Sequence, residues 1–372
     1  MPNPKRRKKK GVEPAALLNQ LPVEDVKTFW SSDELIIESP VRLFRWRGAG
    51  PRRYFTFGEP IITEDKHQFP VIYFPSVSTI VRETLPTSPY MVEWIARHGV
   101  DKARAIADEA ADYGTLMHIC ISQFLVARSF DLSSLGEAVE FHVKQARLKW
   151  DTTGWPDKLR SDLLAFAQFA YDYELEPLAI EAVMCSFEDG IAGALDCVAR
   201  MTIKETGFFG ETYKRSGKNA KKGEPKVSVR KTRIIGLLDW KSSRKGFYPE
   251  HEYALELYRK IWMRWFGESH PVSHLFNWRP NDWRKRPTYE LKDQTGKREH
   301  EIPHVIELAK LRIDREPSGE MRYPARIELG ALPEDARWVS PAEIAREMTG
   351  EDSDLFGEKK SNEKQKRKRK KG

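Results

Sequence analysis

The segment RIIGLLDWKSS, residues 233–243, ends an apolar run with an acid and a lysine two positions apart, Asp239 and Lys241. In an extended strand alternate side chains share a face, so this pair stands together while Trp240 turns away. Burying a carboxylate and an ammonium at a strand end is costly unless each finds a partner. A strand-end salt bridge meets that requirement. So does a site in which the acid holds a cation and the lysine faces an anion. A second acid, Asp196 in IAGALDCV, lies on the face of Ala192 and Ala194, small residues that leave room for a group to approach. If the two strands pair, both carboxylates meet at one sheet edge, where a divalent cation relieves their repulsion. The donors are oxygens, with no thiolate pair or multi-histidine set, which suits Mg²⁺, with Mn²⁺ as a substitute, and argues against zinc.

A lysine beside such a cation can orient or deprotonate water, or stabilise charge on a phosphoryl oxygen. Acids, a cation and a basic surface for a polyanion together fit hydrolysis of a phosphodiester. Glu181 in LAIEAVM alternates with Ala179 and Val183 in the strand before Asp196. A charge in so apolar a strand needs either an arginine partner or a place at the acids. Gly114 and His118 in YGTLMHICISQF are four apart and share a helical face. Glycine inside a helix costs about 1 kcal/mol against alanine, which is tolerable where a backbone or ligand must come close. A lone helical histidine is more often structural; His118 gains its interest from its companions.

These residues need elements to hold them. Residues 41–83 alternate and are rich in aromatics, which predicts short strands and turns. Residues 90–128 predict two helices parting near Gly99, with Asp101 as N-cap, and 135–150 and 157–175 predict two more. Strands follow at 177–187, 190–203 and 227–241, then a helix from Pro249, a strand over 272–279 and a helical piece at 341–348. Helices, a run of strands, then a helix and another strand imply an α/β fold with a mixed sheet flanked by helices.

The net charge of +8 is unevenly spread. Residues 1–10 carry six basic residues and no acid, and 359–372 carry nine against one, so the body between them is net negative at −6. Residues 201–245 reverse that locally, with thirteen Lys or Arg against four acids. Like-charge blocks such as KRRKKK and KQKRKRKK read as disordered arms that attract phosphate without reading sequence. Solubility and nuclear targeting are the other uses open to them. The domain plan is a basic tail over 1–12, one domain over 13–350 with its core at about 70–280 and a basic insertion at 204–231, and a charged tail over 351–372. The chain shows no signal peptide or membrane span, and its three scattered cysteines are small apolar residues of a reducing compartment.

Taken in order, GxxxH (Gly114, His118), Glu181, GALD (Gly193, Asp196) and DWK (Asp239, Lys241) resemble the PD-(D/E)XK nuclease superfamily, and within it the RecB-type phage and mitochondrial-genome-maintenance exonucleases. FPSVSTIVRETLP with YMVEWIARHG is similar to the N-terminal part of such phage enzymes, so the likeness spans about residues 70–265. It implies that Asp196 and Asp239 hold metal with the Trp240 carbonyl and His118, that Lys241 is the catalytic lysine and that Glu181 is an accessory acid. The family's QxxxY helix keeps Tyr258, but Ala254 stands where the glutamine belongs, which leaves the mode of DNA engagement open. Gly114, Tyr258, Lys221, Lys222, Arg230 and Arg233 are the candidates for substrate contact.

The function so implied is a Mg²⁺-dependent deoxyribonuclease, an exonuclease acting on DNA in replication, recombination or repair, in the cytoplasm of a bacterial or phage-infected cell. DNA is the expected partner, bound through its backbone, together with a recombination or single-strand-binding protein. The alternative is a catalytically inactive DNA-binding protein on the same fold. GETYKRSGK lacks the spacing of a phosphate-binding loop, Pro271 separates His270 from His274, and the aromatics of FNWRPNDW fit core packing better than base stacking.

Overall fold

Apolar, β-branched runs build the strands, and their hairpins build most of the main sheet. The computed structural model describes residues 37, 39–47, 50–59, 61–62, 67–207, 228–323 and 337–349. Both expected tails, and Lys221 and Lys222 of the basic insertion, lie outside the described residues. The N-terminal aromatics form β1 (Phe44–Arg45), β2 (Arg53–Phe57), β3 (Ile61–Ile62), β4 (His67–Gln68) and β5 (Val71–Pro75). Then come helices α1 (Val77–Thr84), α2 (Pro89–His98), α3 (Val100–Ala127), α4 (Leu135–Ala146) and α5 (Trp155–Asp172). Strands β6 (Glu176–Ser186), β7 (Ile191–Gly207) and β8 (Ser228–Trp240) follow, then α6 (Pro249–Phe266), β9 (His274–Pro280) and β10 (Tyr289–Asp293). The described chain closes with α7 (Ile302–Arg312), β11 (Glu320–Arg322), β12 (Arg337–Val339) and α8 (Pro341–Thr349).

The main sheet runs β10–β9–β8–β7–β6. Only β8 and β9 are parallel, joined by a crossover through α6; the other pairs are antiparallel. Helices cover both faces. On one, α3, α4 and α5 pack over Ile180, Cys197, Leu238 and Trp240. On the other, α1, α6 and α7 pack over Ala182, Leu195, Leu237 and Leu275. This is a mixed α/β architecture with a five-stranded sheet between helical layers. A separate antiparallel sheet, β1–β2–β5, lies against β6 and β7, where Leu43, Tyr54 and Phe74 meet Val183, Cys185 and Ala192.

Two expectations need correction. Val77–Thr84 is a helix, although its valines, threonines and isoleucine favour strand. The Ser76 side chain caps it by accepting the Thr79 N–H, and Val77, Ile80 and Val81 recur at helical spacing on a buried face. Gly99, at φ +79°, ends α2 and caps α3, while Asp101 sits inside the first turn, where it complements the helix dipole. No helix among the described residues is long and apolar enough to cross a membrane.

Phe166 of α5 anchors the helical layer, its ring edge-on to Trp240 at 5.0 Å and to Trp278 at 5.2 Å. Phe276 and Trp278 of β9 are likewise core residues and not a stacking platform. Truncating a fully buried phenylalanine removes its transfer energy and leaves a cavity. Phe166→Ala is expected to lower unfolding free energy by about 3–5 kcal/mol, read from urea midpoints. Tyr171→Ala, at a position 81% exposed, should stay within about 0.5 kcal/mol of wild type.

Candidate metal centre

The sheet forks where the acids lie. β7 and β8 pair from Gly207–Ser228 up to Cys197–Leu238, and Asp196 and Asp239 come next. There the ladder stops. Asp239 and Trp240 continue on β9, opposite Asn277 and Trp278, while β7 continues on β6. The Trp240 N–H that would have bonded across to β7 instead donates to Asp196 Oδ2 at 2.7 Å. A carboxylate thus replaces a backbone carbonyl at the mouth of the fork, which satisfies the buried N–H and fixes one oxygen of the acid.

A second irregularity brings in Glu181. Ile180 pairs with Cys197 and Ala182 with Leu195, so Glu181 stands opposite Asp196. Ile180 and Cys197 lie in the core under α3 and α5, yet Ala182 and Leu195 lie in the core on the other face. Regular alternation would keep each pair on one side. The reversal is taken up at Glu181, whose φ of +47° is a left-handed conformation uncommon for a residue with a side chain. It corrects the expectation that Glu181 and Asp196 follow the plain alternation of their neighbours.

His118 reaches this point from α3. Its Nδ1 lies 3.4 Å from Glu181 Oε1 and 3.6 Å from Asp196 Oδ1, and its Nε2 lies 3.2 Å from the Trp240 carbonyl. One donor atom each from His118, Glu181 and Asp196 fall within 4.8 Å of one another, a set that could hold a metal ion. An Nε2–H donated to the Trp240 carbonyl would leave Nδ1 facing the acids, the outer hydrogen bond that orients a metal-binding imidazole. The Trp240 carbonyl, expected as a further metal ligand, lies beside the same group, within hydrogen-bond distance of His118 Nε2. Glu181, expected only as an accessory acid, belongs to the clustered donors.

Asp239 stands beside this trio. Lys241 Nζ donates to its Oδ1 at 2.6 Å and Asn277 Nδ2 to its Oδ2 at 2.6 Å. The salt bridge considered from the sequence is therefore present. Asn277 is fully buried and is itself held, its Oδ1 accepting from Gln294 Nε2 at 2.9 Å, with Lys297 Nζ donating to Gln294 Oε1 at 2.7 Å. The loop after Lys241 is fixed by Arg244, which pairs with the buried Asp162; Tyr113 donates to the same carboxylate at 2.6 Å.

The charges at the fork act on one another. Burial lifts Asp196 above the usual carboxylate range, with Glu181 adding to it and His118 opposing. Burial likewise raises Asp239, against Lys241. Burial opposes a charged His118, but Asp196 and then Glu181 outweigh it and lift the imidazole to about 9. Lys241 is raised despite burial by Asp239 and Asp196.

The other candidates fall in different places. An alanine Cβ at Gly114 would lie 3.2 Å from Ser242 Oγ, so the glycine lets the loop after Lys241 approach α3. Tyr258 packs over Gly193, where an added Cβ would lie 2.6 Å from its ring. Burial, then Asp196 and Asp239, push its phenol well above its usual range. Arg233 is six residues before Asp239 on β8 and pairs with Glu176 at 2.5 Å, so the structure does not bring it to the fork. Arg230 lies further along the same strand, its backbone opposite Glu205. Two residues at the site went unnoticed in the sequence. Asn277 was hidden among aromatics, although a polar residue in an apolar strand was a usable signal. His251 of α6 is lowered to about 4 by burial and then by Lys241, and its Nδ1 accepts the Tyr248 N–H at 3.2 Å. The sequence matches no protein-family model and no curated protein.

A metal ligated by His118 must displace the imidazole proton. Mn²⁺ affinity is therefore expected to rise with pH from 6.5 to about 9, the interval between the ordinary and the raised value. Titration calorimetry in two buffers should register the released proton, and His118→Ala should remove the part of the release that falls between pH 6.5 and about 9. Without metal the sign of the stability effect is opposite. A raised histidine contributes fully below pH 6.5 and loses that contribution as pH climbs through about 9. The difference in urea midpoint between wild type and His118→Ala should shrink over that interval.

Proposed function

We propose that the protein is a metal-dependent phosphodiesterase, a deoxyribonuclease of the PD-(D/E)XK type acting as an exonuclease, with Mg²⁺ or Mn²⁺ as its cofactor. The observation that carries the reading is the fork. It gathers His118, Glu181 and Asp196 within ligand distance of one another and sets the Lys241–Asp239 pair one strand away. A purely structural ion pair would not need three further titratable groups at the same opening. An imidazole with two carboxylates fits Mg²⁺ less selectively than an all-oxygen set and suits Mn²⁺ well.

The metal, when bound, supplies a Lewis acid for a phosphoryl oxygen and lowers the pKa of water. The residues of the chain do the rest. Glu181 and Asp196, at the sheet edge, would hold the cation, their geometry kept by the Trp240 N–H and the Glu181 backbone turn. Asn277 occupies one oxygen of Asp239, which confines the other to Lys241 and whatever Lys241 approaches. Lys241, held protonated by Asp239, donates towards a phosphoryl oxygen and stabilises the charge that grows there in the transition state. In this role it is a donor and not the base that takes a proton from water.

Digestion of end-labelled linear duplex and single-stranded DNA, with and without Mg²⁺ or Mn²⁺, tests this reading. Wild type should cut only with metal, and Lys241→Ala should bind equally well but cut roughly 10²–10⁴-fold more slowly. Equal inertness of both proteins while they bind DNA would overturn the hydrolase reading in favour of a binding protein on a nuclease-like fold.

A further inference from the structure

The small sheet carries a second charged surface beside the fork. Its register sets Phe44 opposite Phe55 and Arg45 opposite Tyr54. The Trp46 N–H donates to the Arg53 carbonyl at 3.0 Å and extends the ladder outward, which sets Arg47 opposite Arg52. Alternation then sorts the side chains. Phe44, Trp46 and Phe55 enter one aromatic core, and Leu43 and Tyr54 enter the contact with β6 and β7. Arg45, Arg47 and Arg52 share the face of Tyr54, the face turned towards the strands that carry Glu181 and Asp196.

All three arginines are exposed, and among the described residues none forms an ion pair. Arg53, on the opposite face, contrasts with them: it is buried and donates to the carbonyls of Asp314 and Pro51. Like charges directly opposite in an antiparallel pair are destabilising. Partial desolvation, and then Arg52 and Arg47, hold Arg45 below the usual guanidinium range. The Leu43 and Tyr54 side chains on this face pack on Val183, Cys185 and Ala192, which places the cluster beside β6 and β7. Burial raises the Tyr54 phenol, Arg52 and Arg45 oppose that shift, and Glu181 adds to it. Arg52 likewise opposes the upward shift that burial, Asp196 and Asp239 impose on the Tyr258 phenol.

We infer that Arg45, Arg47 and Arg52 form a phosphate-binding surface that holds the backbone of the nucleic-acid strand whose scissile bond lies at the fork. This rests on the phosphodiesterase reading. Guanidinium groups match phosphate with paired N–H donors, and an arriving anion relieves the repulsion that the free protein carries. A surface of this kind binds backbone and reads no base. Either internal phosphodiesters or a terminal phosphate could supply the ligand.

The test is fluorescence anisotropy of a fluorescein-labelled single-stranded DNA oligonucleotide, with Ca²⁺ replacing Mg²⁺ and across a NaCl series. Replacing Arg45, Arg47 and Arg52 together by Gln should weaken binding and reduce the slope of log affinity against log salt by about 2, at about 0.7 for each phosphate that the variant no longer neutralises. Replacing the same three by Lys should preserve the slope. An unchanged slope in the Gln variant, an equal loss in the Lys variant, or no binding by wild type overturns the surface. Oligonucleotides with 5′-phosphate and 5′-hydroxyl ends separate the sources. A preference for the phosphate that the Gln variant lacks places a terminal phosphate there; equal affinities with the same loss place internal phosphates there. Cleavage is scored separately with Mg²⁺. Arginine-dependent binding without cutting keeps this surface and defeats the hydrolase reading, whereas a Gln variant that binds and cuts like wild type does the reverse.

Discussion

The hydrogen bond from the Trp240 N–H to Asp196 Oδ2 is the contact on which the rest of the site depends. Two antiparallel strands cannot separate inside a buried sheet without orphaning backbone groups, and each orphan costs the desolvation of a donor or acceptor. Here one carboxylate oxygen takes the bond that β7 would have supplied. The strands can then part, and the second oxygen of Asp196 faces His118 across 3.6 Å. The same substitution determines where the flanking residues go. Trp240 stays in the core beneath α3 and α5, so its carbonyl is available to His118 and its neighbours Asp239 and Lys241 turn to the opposite side.

An opening of this kind needs rigid walls. One is the aromatic layer of Phe166, Phe169, Trp240 and Trp278, whose rings meet at tilted and edge-on angles. The other is the polar line from Asp239 through Asn277 and Gln294 to Lys297, which crosses β9 with both amides fully buried. Buried amides are tolerable only when their partners are fixed. Along this line every link has a donor and an acceptor, so the protein's own side chains hold Asp239 in one orientation. Pre-organisation of that sort puts the cost of ordering the acid into folding and not into binding.

Much of this was legible because the chemistry stands out against an apolar background. Asp196, Asp239, Glu181 and His118 each interrupt a periodic hydrophobic segment, and residue spacing alone places Asp239 with Lys241. The main strands and α3 to α6 followed from periodicity within a few residues. The fork itself was not legible, since it depends on where a ladder stops, and neither was the reversal at Glu181, which depends on one φ angle. Helix α1 was obscured because β-branched residues favour strands until a cap and a buried face override them. The alternation in LFRWR did contain the arginine face, but only the pairing of β1 with β2 shows that Arg47 and Arg52 stand opposite.

Charge accounting ties the two surfaces together. Among the described residues at the fork, Glu181, Asp196 and Asp239 as carboxylates face Lys241 and a protonated His118, a formal balance of one negative charge. Such a centre repels a phosphodiester. A divalent cation that takes the place of the histidine proton brings the same groups to neutrality, because it adds two charges and removes one. The opening then no longer repels an anion, and in the proposed phosphodiesterase the attraction for the substrate strand would come from elsewhere. Arg45, Arg47 and Arg52 can supply it, on a sheet that packs against β6 and β7 through Tyr54 and Leu43. On the proposed phosphodiesterase reading the acids, a cation and the arginines would divide the work: the first two would make a neutral centre for chemistry, and the third would hold the anion on which it acts.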